Sequence, residues 1–451
     1  MKFKFENLGP IDKGEITLGN LTIVAGNNNL GKTYISYVIW GYLNMLKGFP
    51  NFHSENSYLE QLIVQGSISF DFNEYTKLVS DFLKNYESNF SSELSTLFNT
   101  QEDFFKNTNV ICKEITKPIL TEYRGTNTLN SGPNSFVKYG WSLDTNKLQI
   151  FVDEKKDFNL NAGLASLIFS LALSDMISKV YFNSPYIITS ERTGIALFYK
   201  ELDFTKSNII ELLKKEKPIH PMNLLETLTA SYAEPIKNNI NSARFFFETQ
   251  KRKSFIVKEH PEEFKKINKM LTLILDGNFK YTSDQIFLKT KTVKGKSESI
   301  PLFITSSATK SLFLFDLYIR SSAQKNQILM IDEPELNLHP TNQILMARIL
   351  ANLVNLGVDV FITSHSDFMI KEFNNLIMLS NNFKDRDLLL KKYSYDDLDI
   401  LSPGKVKAYF VGNRTINEAE IDNYGIDYKI FDDTIHKLNR KSDDIYYSIE
   451  D

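Results

Sequence analysis

The sequence predicts an α/β protein built on a parallel sheet, with antiparallel strands at its N-terminus and α-rich insertions. Three observations indicate this fold class. An apolar strand pattern from Leu21 to Ala25 runs into a glycine-rich loop and is followed by a helical pattern from Lys32 to Leu46. The stretch from Gln327 to Leu379 alternates strands with helices, which is typical of a parallel sheet. With 451 residues, 42% of them hydrophobic, the chain is long enough for a large core.

The first half of the chain is predicted to hold short strands, a long insertion and a hairpin. Phe3 and Phe5 alternate with lysines, and a second strand pattern begins at Glu15. Residues 50 to 130 show helical spacing and carry no recognisable chemistry, so they are interpreted as an α-rich insertion. A hairpin, a helix and a short strand follow: Ser135 to Leu143 with Lys147 to Val152, Gly163 to Lys179, and the strand at Ile187.

Residues 202 to 296 are predicted to be helical, and between 251 and 296 twelve Lys or Arg residues stand against five acidic ones. A solvated helical surface is the more ordinary explanation of this basic segment, and contact with DNA or an acidic partner is the other.

The last third is predicted as alternating elements: a helix from Leu312 to Ser322, strands at Gln327 to Ile331, Val358 to Thr363 and Leu376 to Leu379, helices at Thr341 to Leu356 and Asp367 to Phe373, and a final helix from Phe431 to Ile449.

These elements divide the chain into four predicted segments. Residues 1–48 and 301–395 form the two parts of the sheet domain. Residues 49–300 form an inserted region that is mostly helical with a central hairpin, and residues 396–451 form an acidic C-terminal segment.

Charge and cysteine usage exclude several classes of protein. Lys and Arg total 52 against 55 Asp and Glu, a net charge of -3, so any surface for nucleic acid must be local. The single cysteine, Cys112, can form neither an internal disulfide nor a cysteine-based metal cluster, which favours a reducing compartment. Because the sequence shows neither a signal-peptide pattern nor an apolar run of about 20 residues, we expect a cytoplasmic protein without a membrane partner.

The strongest motif lies between the predicted strand and helix near residue 30, and it matches the phosphate-loop pattern G-x-x-x-x-G-K-[ST]. Its residues are Gly26, Asn27, Asn28, Asn29, Leu30, Gly31, Lys32 and Thr33. In such a loop backbone N–H groups cradle phosphates, the lysine reaches the β- and γ-phosphates, and the hydroxyl of Thr33 ligates Mg²⁺. A turn without a ligand is the alternative, and the flanking strand and helix argue against it. The loop therefore predicts ATP and Mg²⁺ as ligands.

Two further motifs follow apolar strands. Asp332 and Glu333 end the run that begins at Ile328, at the edge where open α/β sheets bind ligands. Asp332 is predicted to hold Mg²⁺, and Glu333 to accept a proton from the attacking water. His365 comes directly after the next strand, where it is predicted to sense the γ-phosphate or to orient that water. Each pattern alone is an ordinary strand end, but with the phosphate loop they predict an Mg-nucleotide site.

Together with the run Asp332-Glu333-Pro334-Glu335 and the Leu338-His339-Pro340 that follows it, these motifs resemble those of ABC-type ATPases of the SMC, RecF and OLD group. The sequence is especially similar to stand-alone AAA family ATPases of bacterial anti-phage defence loci, such as the PARIS and Septu types. The resemblance implies an ABC-type ATPase head that hydrolyses ATP between two copies of the chain, each receiving a signature serine from its partner. It therefore implies a homodimer or a higher homo-oligomer.

The segment in the signature position runs from Thr305 to Leu312. Ser306 and Ser307 are its candidates for contact with the γ-phosphate; the resemblance leaves open which of them makes it, and capping of the following helix explains either serine equally well. Ala308 departs from the glycine or serine of many relatives. Arg192 also looks like a feature of the group, and it is predicted to reach the nucleotide or the dimer interface.

Three functions are compatible with these motifs. The first is the sensor or scaffold of an anti-phage defence system, acting with a separately encoded nuclease or toxin as effector. The second is a DNA repair or maintenance ATPase of the RecF or SMC type that binds DNA. The third, a transporter subunit, is disfavoured by the long separation of Lys32 from Ser306 and by the form of the signature. Between the first two, the absence of long heptad runs argues against an SMC arm. The 86 residues after His365 show no nuclease-like cluster, so the chain is predicted to lack a nuclease of its own.

Overall fold

The computed structural model describes residues 1–46, 56–113, 126–129, 137–142, 147–152, 161–181, 185–199, 232–282, 285–291, 295–427 and 440–446. Its strands, numbered along the chain, are β1 Lys2–Leu8, β2 Ile11–Thr17, β3 Leu21–Ala25, β4 Ser67–Phe70, β5 Asn109–Lys113, β6 Thr126–Leu129, β7 Val137–Ser142, β8 Lys147–Val152, β9 Tyr186–Ile188, β10 Asn278–Tyr281, β11 Ile286–Lys291, β12 Ser297–Pro301, β13 Ile328–Asp332, β14 Asp359–Ser364, β15 Val406–Gly412, β16 Thr415–Glu418, β17 Ile421–Asp422 and β18 Gly425–Ile426.

The α-helices are named by their residues. They are Lys32–Leu46, Asn56–Gln65, Phe72–Phe90, Leu94–Phe98, Ala162–Tyr181, Arg192–Phe198, Glu234–Arg244, Phe246–Thr249, Phe255–Glu259, Pro261–Leu275, Ser307–Leu317, Pro340–Asn355, Asp367–Met378 and Arg386–Tyr393. A π-helical turn, Tyr318–Ser322, continues Ser307–Leu317. Within the described part of the chain, no helix combines the length and the apolar content that crossing a membrane requires.

One large sheet organises the molecule, with the strand order β5-β1-β2-β16-β15-β3-β14-β13-β9. The five strands from β15 to β9 are parallel to one another, and β15 pairs antiparallel with β16 on its other side. At the other end of the sheet, β1 pairs antiparallel with both β2 and β5. The predicted fold class, a parallel sheet with antiparallel N-terminal strands and many helices, is therefore confirmed.

The parallel strands are largely buried on both faces, which explains why most of their residues are apolar. Successive side chains of a strand point to opposite faces. Leu21 and Ile23 of β3 lie in one hydrophobic cluster, and Val24 lies in the other. Leu329 and Met330 of β13 divide in the same way. The sheet thus carries a core on each side, and its central strands have no exposed face.

Two sequence predictions were wrong. The run Leu376 to Leu379 was predicted as a strand, but its first three residues belong to the helix Asp367–Met378, where Ile370, Phe373 and Ile377 bury one helical face. A short apolar run does not by itself distinguish the two structures. Residues 202 to 296 were predicted to be helical, yet β10 and β11 lie among them and form a three-stranded antiparallel sheet with β12.

Other predictions are confirmed or remain open. The predicted hairpin is the antiparallel pair β7 and β8. The final helix predicted from Phe431 to Ile449 lies mostly outside the described residues. Residues 440–446, the part of it that is described, are helical. The four segment boundaries stay a prediction, although β5 and β9 from the inserted region and β15 and β16 from the C-terminal segment are strands of the large sheet.

Candidate nucleotide site

The large sheet brings the three sequence motifs to one edge. β14 lies between β3 and β13, and all three strands are parallel, so their carboxyl ends are adjacent. The phosphate loop follows β3, Asp332 ends β13, and His365 directly follows β14. The predicted placement of Asp332 and His365 on one sheet edge therefore agrees with the structure.

The phosphate loop has a shape that requires glycine at two positions. Gly26 has φ +149°, and a Cβ atom there would lie 2.6 Å from the carbonyl oxygen of Val411. Gly31 has φ +96°, and a Cβ atom there would lie 2.9 Å from the ring of Pro10. Between them, Asn27, Asn28 and Asn29 are exposed, and the helix Lys32–Leu46 starts directly after the loop. The free N–H groups and the positive end of the helix dipole therefore face the space where phosphates would bind.

Lys32 folds back onto this loop. Its Nζ donates to the carbonyl oxygens of Gly26 and Asn27, both at 2.8 Å, and the residue is 6% exposed. Burial lowers the pKa of Lys32, and the carboxylates of Glu333 and Asp332 oppose this shift. The ammonium group thus sits between the loop and the acidic strand end.

Asp332 offers a buried carboxylate oxygen that no other described residue binds. Its Oδ1 accepts a hydrogen bond from the hydroxyl of Thr363, and among the described residues its Oδ2 has no partner. Burial raises the pKa of Asp332 to about 6, while the hydroxyls of Thr363 and of nearby Thr33 act against this rise. Mg²⁺ prefers oxygen ligands and commonly binds through one or two carboxylates and substrate phosphates. The free carboxylate oxygen beside the Thr33 hydroxyl fits such an ion.

Glu333 has a backbone conformation that is rare for residues other than glycine. Its φ is +49°, which costs about 1–2 kcal/mol relative to a right-handed conformation. Its amide donates to the carbonyl and hydroxyl oxygens of Thr363, at 3.1 and 3.2 Å. The side chain lies 3.6 Å from Nδ1 of His365, measured from Oε1. This interaction lowers the pKa of Glu333 and raises the pKa of His365. Glu333 is therefore ionised at neutral pH, as a proton acceptor must be.

Glu335 holds the backbone at His365, a role that the sequence motif did not reveal. Its Oε1 accepts from the hydroxyl of Ser364 and from the amide of His365, both at 2.8 Å. The Nδ1 atom of His365 lies 3.4 Å from the same oxygen. Glu335 is 4% exposed, and burial raises its pKa. Its position two residues after Glu333 was the only signal in the sequence.

Arg192, which was predicted to reach the nucleotide or the dimer interface, is buried within the chain. It is 2% exposed, and its guanidinium donates to the main-chain carbonyls of Asp332 and Glu333. Burial lowers the pKa of Arg192 to about 10, and the nearby carboxylates, Asp332 first among them, oppose this shift. Arg192 is thus directed at the backbone of Asp332 and Glu333, which together are called the acidic turn.

The structure places the two signature serines at the start of the helix Ser307–Leu317, and both are exposed. The hydroxyl of Ser306 caps this helix by accepting from the amide of Thr309 at 3.1 Å. Within the described residues, neither serine hydrogen-bonds to the phosphate loop or to the acidic turn. The site assembled at the sheet edge therefore does not include them in a single chain.

A phosphate loop, an acidic strand end and a histidine on one edge of a parallel sheet define the class of P-loop nucleotide-binding proteins. A sequence model described as the AAA ATPase domain matches residues 1–370, and the chain belongs to this family. It is therefore a protein of the AAA ATPase type. No curated protein sequence matches the chain.

Among solved structures, the chain is similar to heads of SMC proteins. An SMC head bound to the C-terminal winged-helix domain of ScpA is 12% identical, with a TM-score of 0.35 and coverage of 92% of this chain and 96% of that one. The SMC head domain from Thermotoga maritima is 10% identical, with a TM-score of 0.31 and coverage of 93% and 98%. An SMC head with an extended coiled coil, bound to the C-terminal domain of ScpA derived from Pyrococcus furiosus, is 11% identical, with a TM-score of 0.31 and coverage of 99% and 98%.

Proposed function

We propose that the chain hydrolyses ATP with Mg²⁺ at this sheet edge, with Glu333 as the general base. The observation that carries the proposal is the convergence of Lys32, the free oxygen of Asp332 and the ionised Glu333 around one phosphate loop. Bound between Thr33 and Asp332, Mg²⁺ would supply neutralisation of charge on the phosphate oxygens.

The remaining chemistry belongs to residues of the chain. Backbone N–H groups of the loop bind the β- and γ-phosphates, and Lys32 exchanges the carbonyls of Gly26 and Asn27 for phosphate oxygens. Glu333 takes a proton from a water molecule, whose oxygen forms a bond to the γ-phosphorus. The bond from that phosphorus to the β–γ bridging oxygen breaks, and ADP leaves with the electron pair. His365 orients the carboxylate of Glu333.

Separate measurements of binding and turnover test this assignment. Glu333→Gln removes the proton acceptor and keeps the shape, so phosphate release should fall by about 10²- to 10⁴-fold while the affinity for a fluorescent ATP analogue changes little. Glu418→Gln is a matched control, because Glu418 is exposed and pairs with Lys407 at the surface. Undiminished turnover in Glu333→Gln would remove Glu333 from the mechanism.

We further propose that the ATPase is the sensor or scaffold of an anti-phage defence system with a separate effector protein. The support is the similarity of Asp332-Glu333-Pro334-Glu335 and Leu338-His339-Pro340 to the motifs of ATPases from defence loci. Cells that express the chain with the product of its neighbouring gene should plate phage at least about tenfold less efficiently than cells without them. Glu333→Gln should abolish this protection. Full plating efficiency beside a working ATPase would refute the defence role.

A DNA-maintenance ATPase is the second candidate, and one surface favours it. In the sheet β10–β12, Lys280 pairs with Phe287, Lys289 with Asn278 and Ser299, and Lys291 with Ser297. Cross-strand partners share a face, so the three exposed lysines lie on one side of this sheet. Glu298, an exposed acidic residue of the same sheet, pairs with Thr290 and therefore lies on the opposite face.

A salt titration with labelled double-stranded DNA tests this surface. If the three lysines bind phosphates, replacing Lys280, Lys289 and Lys291 with glutamine should lower the slope of log affinity against log salt by about 2 to 3. The matched control replaces Lys251, Lys253 and Lys258, three exposed lysines of the same basic segment outside the sheet. Equal losses in both variants, or no binding by the wild type at low salt, would contradict a DNA site on this sheet.

A further inference from the structure

The short segment from Thr189 to Thr193 contacts several parts of the nucleotide site. The hydroxyl of Tyr37, in the helix that follows the phosphate loop, donates to Glu191 at 3.2 Å. Asn337, just after the acidic turn, donates from Nδ2 to the hydroxyl of Thr193 at 3.1 Å. Between these two contacts, Arg192 is directed at the acidic turn itself. One segment from the inserted region is thus bonded to elements on both sides of the site.

The guanidinium group of Arg192 donates hydrogen bonds to main-chain carbonyl groups of the acidic turn and of its own segment. Its Nη1 donates to the carbonyl oxygen of Asp332 at 2.7 Å and to that of Thr189 at 3.2 Å. Its Nη2 donates to the carbonyl oxygen of Glu333 at 2.5 Å. Because a guanidinium group is planar and offers several N–H donors in fixed directions, it can hold two successive carbonyls at once. A lysine ammonium is a single point of charge and lacks this geometry.

The hydrogen bonds from Arg192 act on a residue, Glu333, whose backbone conformation is strained. Glu333 has φ +49°, and such residues keep that conformation only when their surroundings fix it. Thr363 fixes the amide of Glu333, and Arg192 fixes its carbonyl. The direction of the Glu333 side chain follows from these two restraints, because the Cβ direction is set by the backbone.

We propose that Arg192 is a positioning residue that aims the carboxylate of Glu333 at the attacking water by holding the main-chain carbonyls of Asp332 and Glu333. This inference rests on the proposed role of Glu333 as general base. The helix Arg192–Phe198 also packs against the signature helix Ser307–Leu317. A displacement of the signature helix therefore has a direct path, through Arg192, to the catalytic carboxylate.

Kinetics of the full chain with Arg192→Lys test the proposal. The substitution keeps the positive charge and removes the two-carbonyl geometry, so kcat should fall at least about tenfold while the affinity for a fluorescent ATP analogue stays within about twofold. Arg192→Gln keeps an N–H donor without the buried charge, and it provides a second variant if the lysine variant does not fold. Arg320→Lys is the control for a general effect of an arginine-to-lysine change, because the Nε atom of Arg320 donates to both carboxylate oxygens of Asp316, away from the nucleotide site.

A double-mutant cycle separates positioning from a general structural role. If Arg192 acts through Glu333, adding Arg192→Lys to Glu333→Gln should change the residual turnover by less than about twofold. Additive losses, or a loss of ATP affinity as large as the loss of kcat, would overturn the proposal while leaving the role of Glu333 intact. Full turnover in Glu333→Gln alone would instead overturn the proposed general base.

Discussion

At the scale of single residues, Gly26 links the phosphate loop to a strand from the far end of the chain. A Cβ atom at Gly26 would lie 2.6 Å from the carbonyl oxygen of Val411, and a φ of +149° is unfavourable for other residues. Gly26→Ala should cost about 1–3 kcal/mol through this contact. If the loop moves to relieve it, the affinity for ATP should fall roughly 10- to 100-fold.

Calorimetric titration with ATP measures this effect, and Gly412→Ala is its matched control. Gly412 lies beside Val411, and a Cβ atom there would meet no atom within 4 Å. If the two variants bind ATP equally well, the close approach to Val411 does not shape the loop.

Some residues of the site were predictable from the sequence and others were not. Lys32, Asp332 and His365 were found because each follows a recognisable strand or lies in a motif. The contacts of Arg192 and Glu335 were not predictable, because they bind backbone groups far away in the sequence. Such contacts depend on the packing of distant strands, and no local pattern records them.

At the scale of elements, the signature helix distinguishes its two serines. Ser306 is occupied as the helix cap, whereas in the described part of the chain the hydroxyl of Ser307 makes no hydrogen bond. Ser306→Ala should therefore lower the free energy of unfolding by about 1 kcal/mol, as the loss of an N-cap does. Ser307→Ala should change it by less than about 0.5 kcal/mol and should lower ATP turnover at least about tenfold if Ser307 contacts the partner's γ-phosphate.

Urea titration and phosphate release, measured on both variants, check this division of roles. Ser402→Ala is a suitable control, since Ser402 is exposed and does not cap its turn through its side chain. Full turnover in Ser307→Ala together with lost turnover in Ser306→Ala would reverse the assignment.

Helices and strands were predicted best where a single hydrophobic pattern continued along the whole element. The helix predicted at Thr341 to Leu356 is Pro340–Asn355, and the strand predicted at Val358 to Thr363 is Asp359–Ser364. Prediction failed at β10 and β11, where Ile286 and Leu288 alternate with a half-buried Phe287 and the exposed Lys289. That alternation spans only a few residues and lies next to a long charged helix, so the helical pattern concealed it.

At the scale of the whole molecule, the two signature serines make no hydrogen bond to the phosphate loop or the acidic turn among the described residues, and this predicts a composite site. ATP should stabilise association of two chains, because it would contact both of them. In Glu333→Gln, which is expected to bind ATP without hydrolysing it, light scattering should show about a doubling of mass on addition of ATP. If the protein is a constitutive oligomer instead, replacing both Ser306 and Ser307 with alanine should abolish its activity.

Wild-type protein incubated with ADP provides the control, since ADP lacks the γ-phosphate. Full ATPase activity in a dilute sample that is strictly monomeric would refute the composite site.

The position of β3 between β14 and β15 also affects the order of events during synthesis. A chain emerges from the ribosome N-terminal end first. The phosphate-loop strand is therefore made early, but both of its neighbours are made hundreds of residues later. Until residues 406–412 have been translated, β3 has an unpaired edge and Gly26 lacks the strand against which it packs. We therefore expect a ribosome-bound nascent chain to gain the ability to bind ATP only late in translation, after residues 406–412 have been added and have paired with β3.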